Sequence, residues 1–290
     1  MTTRALVLGG GGPVGIAWEA GIIKGLLDGG VDATEADLIV GTSAGSVVGT
    51  QIASGRSPQD LLAAQAAPSE GAAGGRAGVD VGALRELFQK WTGATELTEA
   101  LRAEIGALAL AAKTASEEVW INSFKQASST SDWPERRLIL TGVDTASGEF
   151  KTWDRDSGVP IELAVAASCA VPGLFPPVTI GGSRYMDGGV RSGTSADLAS
   201  GHQVVLIVAP MGARPEGIGR IMRHHLDAEA DALRAAGRTV EVVLPDAASL
   251  EAFGPNMMDT TRRKGAAGAG VRQGSAVARQ LRPIWAATAG

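Results

Sequence analysis

Leu38-Ile39-Val40-Gly41-Thr42-Ser43-Ala44-Gly45 is the stretch on which the fold turns. Three apolar β-formers run straight into a G-x-S-x-G turn, which lifts a serine onto a sharp strand-to-helix corner with its hydroxyl exposed. The pattern by itself is cheap in a chain with 40 glycines, so its surroundings must carry the argument. Upstream, Ala5-Leu6-Val7-Leu8 is a second strand-like run, and it ends in the glycine turn Gly9-Gly10-Gly11-Gly12. The first fifty residues therefore read strand, glycine turn, helix, strand, serine turn, helix. Strands are expected over roughly 4–8 and 37–40, and helices over roughly 14–27 and 44–53. Two strands joined through a helix make a right-handed βαβ unit and a parallel sheet.

Working outward, residues 68–78 hold Gly71, Gly74, Gly75 and Gly78 and little that could enter a core. They read as a flexible loop. Helical patterns follow over 81–91, 96–112 and 117–126. Strand character returns at 137–143 and 149–153, then a helix at 161–167 and a hairpin over 178–186 turning at Gly181-Gly182. Val204-Val205-Leu206-Ile207-Val208 is a continuous apolar run, as expected for a parallel strand buried on both faces. A helix (218–236) and a last strand (240–244) follow. The fold class expected is a three-layer α/β/α domain with a mainly parallel central sheet. It spans residues 1–290 as one unit, with a helical insertion over about 56–130 covering the site and a basic C-terminal helix over about 260–285.

Aromatic residues make up 4% of the chain, so the core must come from close packing of Val, Leu, Ile and Ala. Cys169 is the single cysteine; it can form no internal disulfide and reads as a small buried hydrophobe. The chain enters its first strand almost at once, leaving no room for a leader, and no apolar run approaches the length of a membrane span. A soluble, cytoplasmic protein is expected. The net charge is −5, which opposes nucleic-acid binding. From Thr260 to Gly290, however, stand Arg262, Arg263, Lys264, Arg272, Arg279 and Arg282 with no acid. Gly270, Gly274, Val277, Leu281 and Ile284 recur there at helical spacing. This segment reads as a terminal helix with one core face, or as a basic amphipathic helix in peripheral contact with anionic lipid.

A serine hydroxyl is a weak nucleophile and needs a base in hydrogen-bond reach, with fixed N–H donors for the oxyanion it creates. Ser43 opens a helix, where the dipole favours negative charge. The Gly10, Gly11 and Gly12 amides open another at the same sheet edge, with no Cβ to hinder a substrate. Of the three histidines, His224 and His225 sit on a highly charged helical stretch, and His202 precedes a strand rather than following one. Open α/β sheets place their sites at carboxyl ends. The carboxylate that stands out is Asp187, in Tyr185-Met186-Asp187-Gly188-Gly189, at the end of an apolar-rich strand. No metal-ligand spacing is present.

These residues resemble the patatin-like phospholipases, lipid acyl hydrolases that use a Ser-Asp dyad without a catalytic histidine. Gly10-Gly11-Gly12-Pro13-Val14-Gly15 is similar to the family's oxyanion loop, and Gly41-Thr42-Ser43-Ala44-Gly45 to its nucleophile elbow. Ala167-Ser168-Cys169-Ala170-Val171-Pro172 resembles its A-S-x-A/G-x-P block, and Asp187-Gly188-Gly189 its D-G-G/A block. The four blocks fall in order between about residues 5 and 190. The resemblance implies Ser43 as nucleophile, Asp187 as base, Gly41, Gly45, Gly188 and Gly189 as supports, a lipid or fatty acyl ester as substrate, and no cofactor or metal. Val14 departs from the pattern, since the family usually carries Arg or Lys there.

Three other readings stay open at this point. Gly10-x-Gly12-x-x-Gly15 after a strand also fits a dinucleotide turn, although no acid ends the second strand to hold a ribose. Ser43, Asp187 and His202 stand in the chain order of an α/β-hydrolase triad. The fold could also serve as a non-catalytic lipid-binding or regulatory module.

Overall fold

The computed structural model describes residues 2–67, 89–93, 96–127, 132–214 and 216–286. Among the described residues eight strands form one sheet: β1 (Arg4–Leu8), β2 (Leu38–Gly41), β3 (Arg137–Asp144), β4 (Phe150–Trp153), β5 (Val178–Ile180), β6 (Ser183–Asp187), β7 (Val204–Val208) and β8 (Thr239–Val243). Their order is β5-β6-β3-β2-β1-β7-β8, with β4 paired along β3. Pairs β1–β2, β1–β7, β2–β3 and β7–β8 are parallel, whereas β3–β4, β3–β6 and β5–β6 are antiparallel. The α/β class with a mostly parallel sheet is as the sequence predicts. The hairpin turns at Gly181 and Gly182, both at positive φ.

Strand side chains alternate between faces, and here both faces are covered. Leu6, Leu8, Ile39, Leu140, Leu206 and Val208 enter one core with α1 (Gly12–Asp28), α2 (Ala44–Ala53), α6 (Ile161–Ser168), α8 (Ala247–Phe253) and α9 (Arg263–Trp285). Ala5, Val7, Val40, Val205 and Ile207 face the other way, onto Leu226, Ala230 and Leu233 of α7 (Ile218–Ala235). This double cover explains why β7 is apolar at every position.

Between α2 and β3 stand α3 (Pro58–Ala63), α4 (Glu99–Ala111) and α5 (Glu117–Ala127) among the described residues. Ile105 and Ala109 of α4 pack with Val143, Met186, Val190 and Ile221. Trp120 of α5 stacks on Phe175 at 3.9 Å between ring centroids and donates its indole N–H to Ala166 O. The expected loop at 68–78, and most of the expected helix at 81–91, lie outside the described residues.

The C-terminal helix forms, and its core face is engaged. Gly270 and Gly274 lie against the backbone of Trp18 and Ile22, while Gly21 and Gly25 lie against Ala267 and Val271. Leu281 and Trp285 are buried. Arg263 and Arg282 hold carbonyls of Ala64 and Gly29, and Arg262 pairs with Asp259. Lys264, Arg272 and Arg279 remain exposed. The apolar stripe that could have entered a lipid surface is therefore turned onto the protein, with Val277 and Ile284 half-buried against the core and the three cations on the exposed side. Among the described residues no helix is long and apolar enough to cross a membrane.

Candidate active site

Register brings the site together. Leu8, Gly41 and Leu140 pair across β1, β2 and β3, and two residues further on stand Gly10, Ser43 and Gly142. Gly142 pairs with Asp187, the last residue of β6. Because β6 runs antiparallel to β3, it descends to the edge that β1 and β2 reach from below. Ser43 and Asp187, 144 positions apart in sequence, thus end at one height on the carboxyl edge of the parallel strands.

Ser43 adopts φ 53° and ψ −115°. A non-glycine residue there is strained, at roughly 1–3 kcal/mol, and the surrounding contacts hold it. Gly41 has no room for a side chain, since a Cβ would meet Gly45 O at 2.6 Å. A Cβ on Gly45 would collide with Leu8 O, and the Gly45 amide instead donates to Gly9 O and Thr42 O. Both glycines of the pentapeptide are fixed by close approach.

The Ser168-Cys169-Ala170 segment, to which the sequence reading gives no task, joins nucleophile and carboxylate. Ser168 Oγ accepts the Ser43 N–H at 3.0 Å, and Cys169 Sγ and Ser46 Oγ donate to Ser43 O at 3.2 and 2.6 Å. Ala170 O accepts the Asp187 N–H at 3.0 Å. One short turn after α6 therefore holds both backbones. The Cys169 thiol is buried, as expected, and burial followed by the nearby Asp187 charge pushes its pKa up. Thr141 adds a second link: its hydroxyl bonds that of Thr42 at 2.9 Å and closes against Gly188, which has no space for a Cβ. The serine in the A-S-x block was the one sequence signal for these contacts; Thr141 offered none.

Asp187 is 3% exposed. Its Oδ1 accepts the Gly189 N–H at 2.7 Å, while Oδ2 is buried with no hydrogen-bond partner among the described residues. Burial raises its pKa to about 7; the Ser43 hydroxyl and the Gly189 amide pull the other way. No Ser43–Asp187 bond meets conventional geometry, yet the hydroxyl is close enough to favour the carboxylate. A carboxyl poised near neutrality with one free oxygen can take a proton from an alcohol, which an ordinary aspartate does poorly.

The glycine loop needs a correction. Gly10 was expected to offer its amide, but that N–H donates to Gly193 O at 2.8 Å. The reason is position: Gly10 still continues the line of β1, beside the segment that follows Asp187. Gly11 and Gly12 amides have no acceptor among the described residues, and neither has Ala44, which follows the serine. Gly12 sits at φ 58°. Val14 is buried in the core and its N–H donates to Met257 O at 3.2 Å, so the loop is held by a backbone bond at that residue and no cation is present there.

The structure separates His202 from this site. It precedes Val204, which pairs with Arg4, so it lies at the opposite end of the sheet from Ser43. Its charged neighbours are Arg137, Asp37 and Arg238. The Ser-His-Asp alternative fails on this geometry.

A doubly covered α/β sheet thus carries a strained serine at its carboxyl edge with a buried aspartate beside it. Residues 6–200 match the family described as patatin-like phospholipase, and the chain belongs to that family, whose members are in general lipid acyl hydrolases. Among solved structures, VipD from Legionella pneumophila is 12% identical with a TM-score of 0.45, covering 96% of this chain and 67% of that one. The type III effector protein ExoU is 18% identical with a TM-score of 0.41, covering 96% of this chain and 53% of that one. This chain thus spans about half the length of the latter. No curated protein matches significantly.

Proposed function

We propose that this protein is a serine acyl hydrolase that cleaves carboxylic esters of phospholipids, lysophospholipids or related fatty acyl esters through a Ser43–Asp187 dyad, with residues 1–290 acting as one unit. The observation that carries the reading is Asp187 itself: a buried carboxylate, one oxygen held by Gly189 and the other unpartnered, at the height of a serine strained into a helix-opening turn. Asp187 Oδ2 takes the Ser43 hydroxyl proton as Oγ bonds to the ester carbonyl. The Gly11, Gly12 and Ala44 amides receive the oxyanion. Collapse expels the alcohol, which leaves with the proton from Asp187. Water then attacks the acyl-Ser43 ester while Asp187 accepts its proton, and the proton returns to Ser43 Oγ as the fatty acid departs.

Ser43→Ala and Asp187→Asn should each lower hydrolysis of a p-nitrophenyl ester by at least about 10³-fold. Full activity in either variant sinks the dyad, and His202→Ala should leave activity in place. Because the base must be deprotonated, kcat/KM should rise with pH along a limb centred near pH 7. The same reading gives the exposed cations Lys264, Arg272 and Arg279 a part in meeting anionic lipid. They share an arc of about 80° on one helix, and each adds roughly 1 kcal/mol near such a surface. Neutralising all three should weaken binding to anionic liposomes in a salt-sensitive way; unchanged sedimentation would remove that role.

A further inference from the structure

A run of glycines carries no side chains with which to lock itself, so the loop that opens α1 can be set only through its backbone. Gly10 stands directly ahead of the Gly11 and Gly12 amides, and its N–H is held by Gly193 O at 2.8 Å. A Cβ on Gly9 would meet that same carbonyl at 3.0 Å and Thr194 Cγ2 at 3.2 Å. The glycine loop therefore leans on the segment that follows Asp187, and whatever fixes that segment also fixes the oxyanion donors.

The segment is itself strained. Among the described residues only two non-glycines stand at positive φ, Ser43 and Ser195. Ser195 is fully buried at φ 52° and ψ 42°, a conformation that persists only where the surroundings over-determine it. The Thr194, Ser195 and Ala196 amides are all taken by side chains. Ser192 Oγ accepts the first two, at 3.2 and 2.9 Å. One oxygen of Glu229 accepts the Ala196 N–H and the Thr194 hydroxyl, both at 2.8 Å. Ser192 is a local partner, whereas Glu229 belongs to α7 and so fixes where the segment lies as well as how it bends. Thr194 and Ala196 are buried, so without the carboxylate both donors lose their acceptor. We propose that Glu229 is a positioning residue for ester hydrolysis: it clamps residues 194–196, and the Gly193 carbonyl ahead of them holds the glycine loop where its amides meet the oxyanion. The proposal rests on the acyl-hydrolase reading above and adds what sets the oxyanion loop.

The test compares p-nitrophenyl butyrate with its thiono analogue, in which sulfur, a weak hydrogen-bond acceptor, replaces the carbonyl oxygen. Glu229→Leu keeps bulk and loses the acceptor. On the oxygen ester its kcat should fall about tenfold or more with KM little changed, and the oxygen-to-sulfur ratio of kcat/KM should shrink several-fold. Glu229→Gln keeps a carbonyl oxygen for both donors and should restore most of the rate. An unchanged kcat in Glu229→Leu, an equal loss on both esters, or a Gln variant as slow as the Leu variant overturns the proposal. To keep this apart from failure of the dyad, amide hydrogen exchange is followed in Ser43→Ala protein with and without Glu229→Leu. The Gly10 amide should exchange about tenfold faster or more, while Leu6, deeper in β1, keeps its rate. That result supports the clamp even if the wild type hydrolyses neither ester. A Gly10 rate that stays put, or an equal rise at Leu6, overturns it.

Discussion

Ser43 stands in a backbone conformation that glycine reaches freely and other residues resist. Ser43→Gly should therefore raise Tm while abolishing hydrolysis, and Ser43→Ala should gain less, because alanine keeps the Cβ. Equal Tm for the two variants would mean that the corner stores little strain. Beside it, Ser168→Ala leaves the buried Ser43 N–H without its acceptor, at about 1–3 kcal/mol. Denaturant midpoints should fall accordingly, and kcat with them as the corner loosens. Asp187 carries a related conflict. Its pKa is raised to about 7, so the folded protein holds a proton that the unfolded chain has released, and stability declines as pH climbs from about 4 toward 7. Asp187→Asn removes that loss, so its Tm advantage over wild type should be larger at pH 8 than at pH 4.

At the scale of elements, the contact of α1 with α9 depends on glycines that let two backbones touch. A Cβ on Gly274 would meet Ile22 O at 2.5 Å, whereas one on Gly268 of the same helix would meet nothing within 4 Å. Gly274→Ala should therefore destabilise by about 1–3 kcal/mol through overpacking. Gly268→Ala should gain about 0.5–1 kcal/mol from helix propensity. Thermal unfolding of the pair decides it, and a loss of the same size in both would refute the close-contact account. The periodicity of Gly270, Gly274 and Leu281 made the buried face of this helix legible in sequence. Which helix lay beneath it was not, because the α1 glycines that complete the seam lie some 250 positions away and look like ordinary helix weakeners. The role of Ser168 was hidden for the same reason, since α6 reaches the elbow only in three dimensions.

Across the whole molecule, Glu19 is fully buried on α1, and both its oxygens lack hydrogen-bond partners among the described residues. Burial drives its pKa well up, with only the Gly9 amide favouring the charged form. The folded state therefore keeps this proton after the unfolded chain has lost it, and stability is shed as pH rises above the ordinary carboxylate range. Glu19→Gln should match wild type near pH 4 and exceed it in Tm at pH 8; parallel Tm curves across that span would place the carboxylate in contact with water. By itself the sequence determined the order of the strands and the parallel βαβ opening, because periodicity and turn chemistry are local, and the family resemblance singled out the candidate pair Ser43 and Asp187; the short helices α3 and α8 were not legible in it. Only the tertiary structure decided three further things. It engaged the Gly10 amide with Gly193, it put His202 at the far edge of the sheet, and it brought Asp187 down to Ser43 on an antiparallel strand. Each depends on strand register, and register is fixed by pairing between segments that the chain keeps far apart.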